Sequence, residues 1–361
     1  MSFDLSGNTM KAVALQAGVS IATVSRVLNN KENVSEDTRK KVIEAMRNIG
    51  YLRPQKDVIG LIVPDASNPF FAQLGFAFEQ ALENNKPRKH LLISSSDGRT
   101  DRELEIVEQF KQFGIEGLIY ISSGKSSETL LTLLVDRQIP TVVFDRRILT
   151  GSLDFVTVNS KQGTLTAVDY LVVHGHERIA YLCGLEGTET AKERYESFRE
   201  AMGRNNIEII EDWIFSGDYT PLSGRKCAER LIQIPESYRP TALLAANDLM
   251  AIGVMQRLQQ EGWGLPKMLS VIGFDNIEWS EWCYPSLTTI AQPTAKLVLK
   301  TLELLMWRIK ERNERKEVRS SPRHFEIEPV LIQRGSVTVP YSHSVSSNLQ
   351  VVASDAPDWS K

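Results

Sequence analysis

The sequence predicts a mixed α/β protein: an all-α N-terminal region of three helices, followed by a two-lobed core built on parallel sheets. Three observations lead to this prediction. Residues 1–51 hold short amphipathic segments with helical spacing. From Val58 onward the pattern changes to short runs rich in Val, Ile and Leu, separated by segments of helix length. Residues 58–339 are too many for a single core of ordinary size, which favours two lobes.

The N-terminal region is predicted to form three helices. The first covers residues 10–17, and the glycine that follows it is a common helix stop. The second is capped by Ser20 and runs to Leu28. The third begins at Ser35, carries two acidic residues in its positive first turn and ends at Gly50.

The first two of these helices have the spacing of a helix-turn-helix. Ala14 and Gly18 permit a close crossing and a turn with positive φ. The second helix then presents six residues to the outside: Ser20, Ile21, Ala22, Thr23, Ser25 and Arg26. This geometry places a second helix in the major groove of DNA. From spacing alone, a plain helical hairpin without a nucleic-acid role remains open.

The core is predicted from seven apolar runs of strand length that alternate with amphipathic segments. The runs are VIGLIVP, HLLISSS, GLIYIS, TVVFD, RIAYLCG, ALLAAND and SVIGFD. Strands that are apolar along their whole length are typical of a parallel sheet covered by helices on both faces. The Ser- and Val-rich residues after Pro340 show no periodicity and are predicted to be disordered.

Polar residues follow the predicted strands, at the edge where open parallel sheets bind ligands. They are Asp65, Asp97, Ser122, Asp145, Asn247, Asp248 and Asp275. Carboxylates and amides of this kind hold polyhydroxylated ligands through hydrogen bonds to the hydroxyl groups. The alternative is that any one of them, notably Asp248, merely caps the helix that follows.

The composition is that of an ordinary folded protein, with 42% hydrophobic and 24% charged residues. The three cysteines lack a C-x-x-C pattern, so neither a disulfide framework nor a zinc site is expected, and a reducing compartment fits best. No signal sequence or membrane span is predicted, and we expect a cytoplasmic protein. Residues 1–57 hold nine Lys/Arg and six Asp/Glu (+3), which leaves 33 against 39 (−6) for the rest. Such a distribution suits a chain whose head contacts phosphates.

The headpiece motif A-x-x-A-G-V-S-x-x-T-V-S-R-V-L-N, at residues 14–29, resembles that of the lac repressor/gal repressor family of bacterial transcription regulators. The resemblance implies that Ser20, Thr23, Ser25 and Asn29 contact the DNA backbone, joined by Ser35 and Thr38 at the start of the third helix. It implies that Ile21 and Ala22 vary with the operator and that Arg26 pairs with a guanine. Ile21 could instead pad the headpiece.

The core resembles the periplasmic-binding-protein-like core of the same family through about residue 335. The landmarks include IGLIVPDASNPFF, FDR, GHERIAYLCG, PTALLAANDLMAIG, SVIGFDN and PSLTTIAQP. Four residues match polar effector contacts of sugar-sensing members: Asp145, Arg194, Asn247 and Asp275. Four more are expected to complete the cleft: Phe70, Phe71, Asp97 and Tyr219, with Trp279 as a further candidate. Thr294 stands where the family often has an effector-facing aromatic residue.

The linker is where the chain departs from the family pattern. Only LRPQKD separates Tyr51 from Val58, and Pro54 restrains it, so the family's hinge helix is not expected. A rigid-body change in the spacing of two headpieces is the expected replacement. The predicted domains are the headpiece (1–51), the shortened linker (52–57), the effector-binding and dimerisation core (58–339) and a disordered tail (340–361).

The chain is therefore expected to be a sequence-specific transcription regulator that acts as a repressor, binds operator DNA as a homodimer and responds to a sugar-like effector. A phosphorylated metabolite or a protein co-regulator is the alternative, although Asp97, Asp145 and Asp275 argue against an anion unless Arg146 and Arg194 turn inward. An enzyme and a transport-type binding protein are remote alternatives. The GKS at 124–126 lacks the earlier glycine of a phosphate loop, and His174 with His176 lacks further metal ligands. No catalytic residue, cofactor or metal is expected.

Overall fold

The structure, a computed structural model, describes residues 10–28, 31, 34–49, 51, 57–84, 88–124, 128–136, 139–145, 153–315 and 321–340. The chain divides into two compact units. Unit 1 comprises Met1–Gln162, Leu185–Glu193 and Gln292–Val330, and unit 2 comprises Gly163–Gly184, Arg194–Ala291 and Leu331–Lys361. In the described part of the chain, no helix is both long and apolar enough to cross a membrane.

The N-terminal part of unit 1 consists of three helices: α1 (Met10–Ala17), α2 (Ile21–Leu28) and α3 (Glu36–Asn48). Their shared core is made of small and branched side chains that are at most 5% exposed: Val13, Ala14, Val24, Val27, Val42 and Ala45. Gly18 takes φ +66° in the turn between α1 and α2, as the spacing predicted.

The rest of unit 1 is a parallel sheet with its helices. The strands are β1 (Val58–Val63), β2 (His90–Ser95), β3 (Gly117–Tyr120), β4 (Thr141–Phe144), β5 (Asp154–Val158) and β11 (His324–Ile327). The helices are α4 (Pro69–Glu83), α5 (Thr100–Phe113), α6 (Glu128–Asp136) and α12 (Thr294–Arg315). The strand order is β11-β5-β4-β3-β1-β2, with every neighbouring pair parallel. β1 is buried along its whole length, as its continuous apolar run predicted.

Unit 2 is built on a second six-stranded sheet. Its strands are β6 (Ile179–Leu185), β7 (Ile214–Gly217), β8 (Ala242–Ala245), β9 (Ser270–Asp275), β10 (Thr288–Ala291) and β12 (Val330–Ile332), in the order β12-β10-β9-β8-β6-β7. Its helices are α9 (Pro221–Gln233), α10 (Asp248–Gln260) and the short α11 (Trp279–Trp282), with 3-10 turns at Glu211–Trp213 and Glu236–Tyr238. Residues 163–173 of α7 (Ser160–Val173) and residues 194–204 of α8 (Glu189–Arg204) also belong to this unit.

The predicted fold class, an all-α headpiece and a two-lobed core with parallel sheets, is confirmed. All seven predicted runs form strands, at β1 to β4, β6, β8 and β9. The domain bounds stay predictions, because residues 52–56 of the linker and 341–361 of the tail lie outside the described residues.

Candidate DNA interface and effector site

The start of α2 is organised by Ser20. Its Oγ accepts a hydrogen bond from the backbone N–H of Thr23 at 3.0 Å and lies 2.9 Å from the hydroxyl oxygen of Thr23. Ser20 is therefore the helix cap that the sequence predicted. Both hydroxyl groups lie at the N-terminal end of α2, where a phosphate oxygen is favoured.

The outer face of α2 carries the side chains that the sequence assigned to base reading. Ile21 is 48% exposed, so it does not pad the headpiece core. Ala22 and Arg26 are also exposed, while Thr23 and Ser25 are half-buried. Val24 and Val27 face the opposite way and are buried in the headpiece. The predicted contacts of α2 therefore share one exposed face, and Arg26 lies in its last turn.

The start of α3 repeats the arrangement of α2. The Oγ of Ser35 accepts from the backbone N–H of Thr38 at 3.3 Å and lies 2.8 Å from the hydroxyl oxygen of Thr38. Ser35 therefore caps α3, and this hydroxyl pair lies at the start of the helix, where the resemblance places a phosphate contact. The remaining predicted contact, Asn29, lies outside the described residues.

In unit 1 the predicted effector residues divide into buried rings and strand-end carboxylates. Phe70 and Phe71 lie in the first turn of α4, with their ring centroids 5.2 Å apart, and are 5% and 6% exposed. Asn68 caps this helix by accepting from the N–H of Phe70 at 3.0 Å. The two rings thus belong largely to the core of unit 1, and only a small edge of each is accessible.

Asp97 and Asp145 follow β2 and β4 in left-handed backbone conformations, with φ of +52° and +64°. Asp97 is exposed, accepts from the hydroxyl of Ser95 at 2.8 Å and forms an ion pair with Arg102. Asp145 differs, because one of its carboxylate oxygens is buried without a hydrogen-bond partner among the described residues. An unpaired buried acceptor is costly, and a hydroxyl donor from a ligand would satisfy it.

In unit 2, Arg194 and Asp275 form a nearly buried pair, with side chains 4% and 9% exposed and Nη2 and Oδ1 3.9 Å apart. Arg194 also donates from Nη1 to the carbonyl oxygen of Ala246 at 2.5 Å. Its guanidinium lies 3.6 Å from the ring centroid of Phe274, the residue before Asp275. These contacts fix Arg194 at the carboxyl ends of β8 and β9 and balance its charge.

The side chain of Asn247 is hydrogen-bonded to the backbone of Tyr219. Asn247 caps α10 by accepting from the N–H of Met250 at 3.0 Å, and its Nδ2 donates to the carbonyl oxygen of Tyr219 at 3.0 Å. Tyr219 has φ +68°, and its ring lies over Gly184, where an added Cβ would be 2.3 Å from the ring. A glycine at 184 is therefore needed for this ring position. Asn247 thus has a structural role in addition to its predicted role as an effector contact.

For Asp248 the alternative of a helix cap is wrong. It does not cap α10, because Asn247 does; instead it is fully buried. Its Oδ2 accepts from the N–H of Ile277 at 2.9 Å, and its Oδ1 accepts from the hydroxyl of Thr289 at 2.6 Å. Burial, followed by the negative charge of Asp275, raises the pKa of Asp248 well above its usual range. Asp248 therefore holds the segment that carries Asp275.

The histidine pair that was considered as a metal site has hydrogen-bond partners within the protein. Both ring nitrogens of His176 are engaged, Nδ1 with the hydroxyl of Thr241 at 2.9 Å and Nε2 with the carbonyl of Thr338 at 2.8 Å. Burial lowers the pKa of His176, as expected for a neutral ring. His174 directly follows the end of α7. The three cysteines are free, and residues 125–127 of the GKS segment lie outside the described part of the chain.

The helix-turn-helix headpiece and the two parallel-sheet units define a DNA-binding regulator with a ligand-binding core. Residues 9–54 match the model of the bacterial regulatory proteins of the lacI family, and residues 168–337 match the periplasmic binding protein-like domain. A curated relative, the HTH-type transcriptional repressor PurR of Aliivibrio fischeri (strain MJ11), is 32% identical over 338 residues, covering 91% of this chain and 98% of PurR. The chain belongs to the lacI family and is a DNA-binding transcriptional repressor of that family.

Two solved structures are similar over most of the chain. The transcriptional regulator CelR in complex with cellobiose has a TM-score of 0.69 and 25% identity, over 91% of this chain and 99% of that one. A LacI family transcriptional regulator from Enterococcus faecium with bound ribose has a TM-score of 0.68 and 26% identity, over 79% of this chain and 100% of that one. The resemblance noted from the sequence is therefore confirmed.

Proposed function

We propose that this repressor binds its operator as a homodimer through the exposed face of α2, and that a sugar-like effector controls its affinity for DNA. The Arg194–Asp275 pair is the observation that supports an uncharged effector. Arg194 is the one nearly buried guanidinium among the predicted effector contacts, and its charge is already balanced by the carboxylate of Asp275. An uncharged, hydroxyl-rich ligand suits such a site better than an anion does.

The remaining predicted contacts support the same class of effector. In unit 1, the buried and unpartnered oxygen of Asp145 calls for a hydrogen-bond donor such as a sugar hydroxyl. Asp97 adds a second carboxylate there, and Phe70 and Phe71 add aromatic edges. In unit 2, Asn247 and Tyr219 stand beside Arg194 and Asp275 as proposed contacts. The cellobiose and ribose held by the two similar regulators are sugars, which supports the proposal by analogy.

The DNA-binding role rests on the exposure of Ile21, Ala22 and Arg26, whose side chains are available to base edges. The six other proposed contacts, Ser20, Thr23, Ser25, Asn29, Ser35 and Thr38, would position the headpiece on the phosphates. One small headpiece binds weakly, and two headpieces related by a two-fold axis would match a near-palindromic operator. The proposed place of action is the cytoplasm, where operator DNA is found.

Exposed apolar side chains support the homodimer. In unit 1, Phe76 on α4 is 64% exposed and Ile93 on the edge strand β2 is 46% exposed. These two side chains come from neighbouring positions, since the Cδ1 of Ile93 lies 3.0 Å from where a Cβ of Gly75 would be. In unit 2, Trp282 is 70% exposed and Tyr284 is 86% exposed. We propose that a second copy of the chain covers both patches, because clustered exposed apolar groups mark interaction surfaces.

The test is a thermal-shift screen against sugars, polyols, sugar acids, sugar phosphates and nucleosides, since a ligand that binds only the folded state raises the melting temperature. We expect a saturable shift with a neutral sugar or polyol that is lost in Asp275→Ala. Asp212→Ala, which removes an exposed carboxylate of the same unit, is the control and should keep the shift. A shift given only by sugar phosphates or nucleosides, or one that survives in Asp275→Ala, would refute the proposed effector site.

A further inference from the structure

Unit 2 contains a cavity of about 340 Å³ that the proposed function does not use. Its walls come from segments that enter the sheet, with Arg178 just before β6, Thr241 just before β8 and residues 263–268 before β9. Backbone hydrogen bonds hold these segments together, from the N–H of Thr241 to the carbonyl of Arg178 at 2.8 Å and from the N–H of Ser270 to the carbonyl of Thr241 at 3.0 Å. The cavity therefore lies at the amino ends of the strands, whereas Asn247 and Asp275 lie at their carboxyl ends.

One wall of the cavity is formed by two flat groups, the indole ring of Trp263 and the guanidinium of Arg239. Trp263 is 8% exposed, and the guanidinium of Arg239 lies 4.7 Å from its ring centroid. Arg239 is anchored by donating from Nε to the carbonyl of Ile234 at 2.6 Å and from Nη2 to the carbonyl of Ile232 at 3.0 Å. An aromatic ring backed by an anchored cation is a rigid surface on which a flat ligand can pack without a large loss of side-chain entropy.

The charge of the lining is positive. The lining contains three cations, Arg178, Arg239 and Lys267, and one carboxylate, Glu236, so its net charge is +2. In the described part of the chain none of the three cations forms an ion pair, although the surface of this unit has pairs elsewhere, such as Arg257 with Glu261. Among the described residues, the Arg178 side chain donates to a backbone carbonyl, that of Ser237, at 3.0 Å. Cations left without carboxylate partners around a cavity form an attractive field for an anion.

We propose that this cavity is a second ligand site, for a small organic anion that carries an aromatic ring. The aromatic ring of the ligand packs against the wall formed by Trp263 and Arg239, and its carboxylate or phosphate group forms ion pairs with Arg178 and Lys267. The volume lies within the range of small-molecule sites, about 300 to 1,000 Å³. Because β8 and β9 run from this cavity to the effector residues Asn247 and Asp275, a ligand here is placed to alter effector binding, and any such coupling is reciprocal.

The test is isothermal titration of the full chain with phenylacetate, phenyl phosphate and the neutral phenylacetamide. We expect at least one of the two anions to bind, with phenylacetamide at least about tenfold weaker because the charge contacts are lost. The tighter of the two anions identifies whether the site prefers a carboxylate or a phosphate. If neither anion binds at concentrations up to about 10 mM, or if phenylacetamide binds as tightly as they do, the proposal is wrong.

Charge reversal locates the site. Lys267→Glu changes an exposed side chain of the cavity and should weaken anion binding at least about tenfold. Lys226→Glu, the same change at an exposed position of α9, is the matched control and should leave binding unchanged. Asp275→Ala should also leave it unchanged, which separates this site from the proposed effector site. Equal loss in both lysine variants, or loss in Asp275→Ala, would show that the anion binds elsewhere.

Discussion

Two buried carboxyl groups should respond in opposite ways to the same substitution. Asp248 in unit 2 is 0% exposed and its hydrogen-bond donors are neutral, the N–H of Ile277 and the hydroxyl of Thr289. Asp154 in unit 1 is 2% exposed and accepts from Arg308, from Nε at 2.6 Å and from Nη2 at 2.8 Å. Replacing either by Asn keeps the shape of the side chain and removes the possibility of a negative charge.

At Asp248 the substitution should cost little or stabilise the protein at neutral pH. Burial raises the pKa of Asp248 well above its ordinary value of 3.8, so the folded state keeps the carboxyl protonated where the unfolded state has already ionised it. The stability that this proton supplies is fully present below pH 3.8 and is lost as the pH rises toward the raised pKa. The loss has a limiting slope of about 1.4 kcal/mol per pH unit. Asn imitates the protonated acid, because its oxygen can accept from Ile277 and its amide can donate to the oxygen of Thr289.

At Asp154 the substitution should destabilise the protein by about 3 to 5 kcal/mol, because the Arg308 guanidinium, whose side chain is 4% exposed, loses its bidentate partner. Arg308 retains Glu311 at 2.9 Å, so the lower end of that range is expected. The N–H of Arg323, which donates to Oδ1 of Asp154 at 2.7 Å, would keep an acceptor in the Asn variant.

The assay is urea unfolding of the full chain, followed by circular dichroism, at several pH values between 5 and 8. The stability of Asp248→Asn relative to the unsubstituted protein should grow with pH, while Asp154→Asn should be destabilised throughout. If Asp248→Asn loses as much stability at pH 7 as Asp154→Asn, then Asp248 is ionised in the folded state and the argument from neutral donors fails.

Two further predictions concern the headpiece and the dimer. Arg26→Ala should weaken binding to an operator selected from random DNA by about 1 to 3 kcal/mol and leave thermal stability unchanged, because Arg26 is exposed. Fluorescence anisotropy against operator and random duplexes measures this, with Lys40→Ala on α3 as the control; undiminished discrimination in Arg26→Ala would remove it from base reading. Phe76→Asp should weaken self-association at least about tenfold in sedimentation velocity, because it places a charge in the proposed apolar interface. Phe113→Asp, an exposed phenylalanine on α5, should not, and a dimer that resists Phe76→Asp would exclude this patch from the interface.

The headpiece could be predicted almost completely from the sequence. Its helices are short, their caps and stops lie within a few residues, and the core comes from residues close in the chain, such as Val13, Val24 and Val42. The outward face of α2 follows directly from that local pattern, and so does the choice of Ser20 as its cap and of Ser35 as the start of α3. The strands of the core were predictable for the same reason, because a continuous apolar run such as that of β1 indicates a buried strand from neighbouring residues alone.

The sequence by itself determined the fold class, the order of the elements and the polar residues that end the strands, because each depends on short-range patterns of burial and capping. Only the tertiary structure decided what those polar residues contact. It assigned the cap of α10 to Asn247, placed Asp248 under the loop after β9 and paired Arg194 with Asp275. It also gathered Arg178, Arg239 and Lys267 around Trp263. The physical reason is that a charge or a hydrogen bond is set by distance in space, and these partners are far apart in the chain.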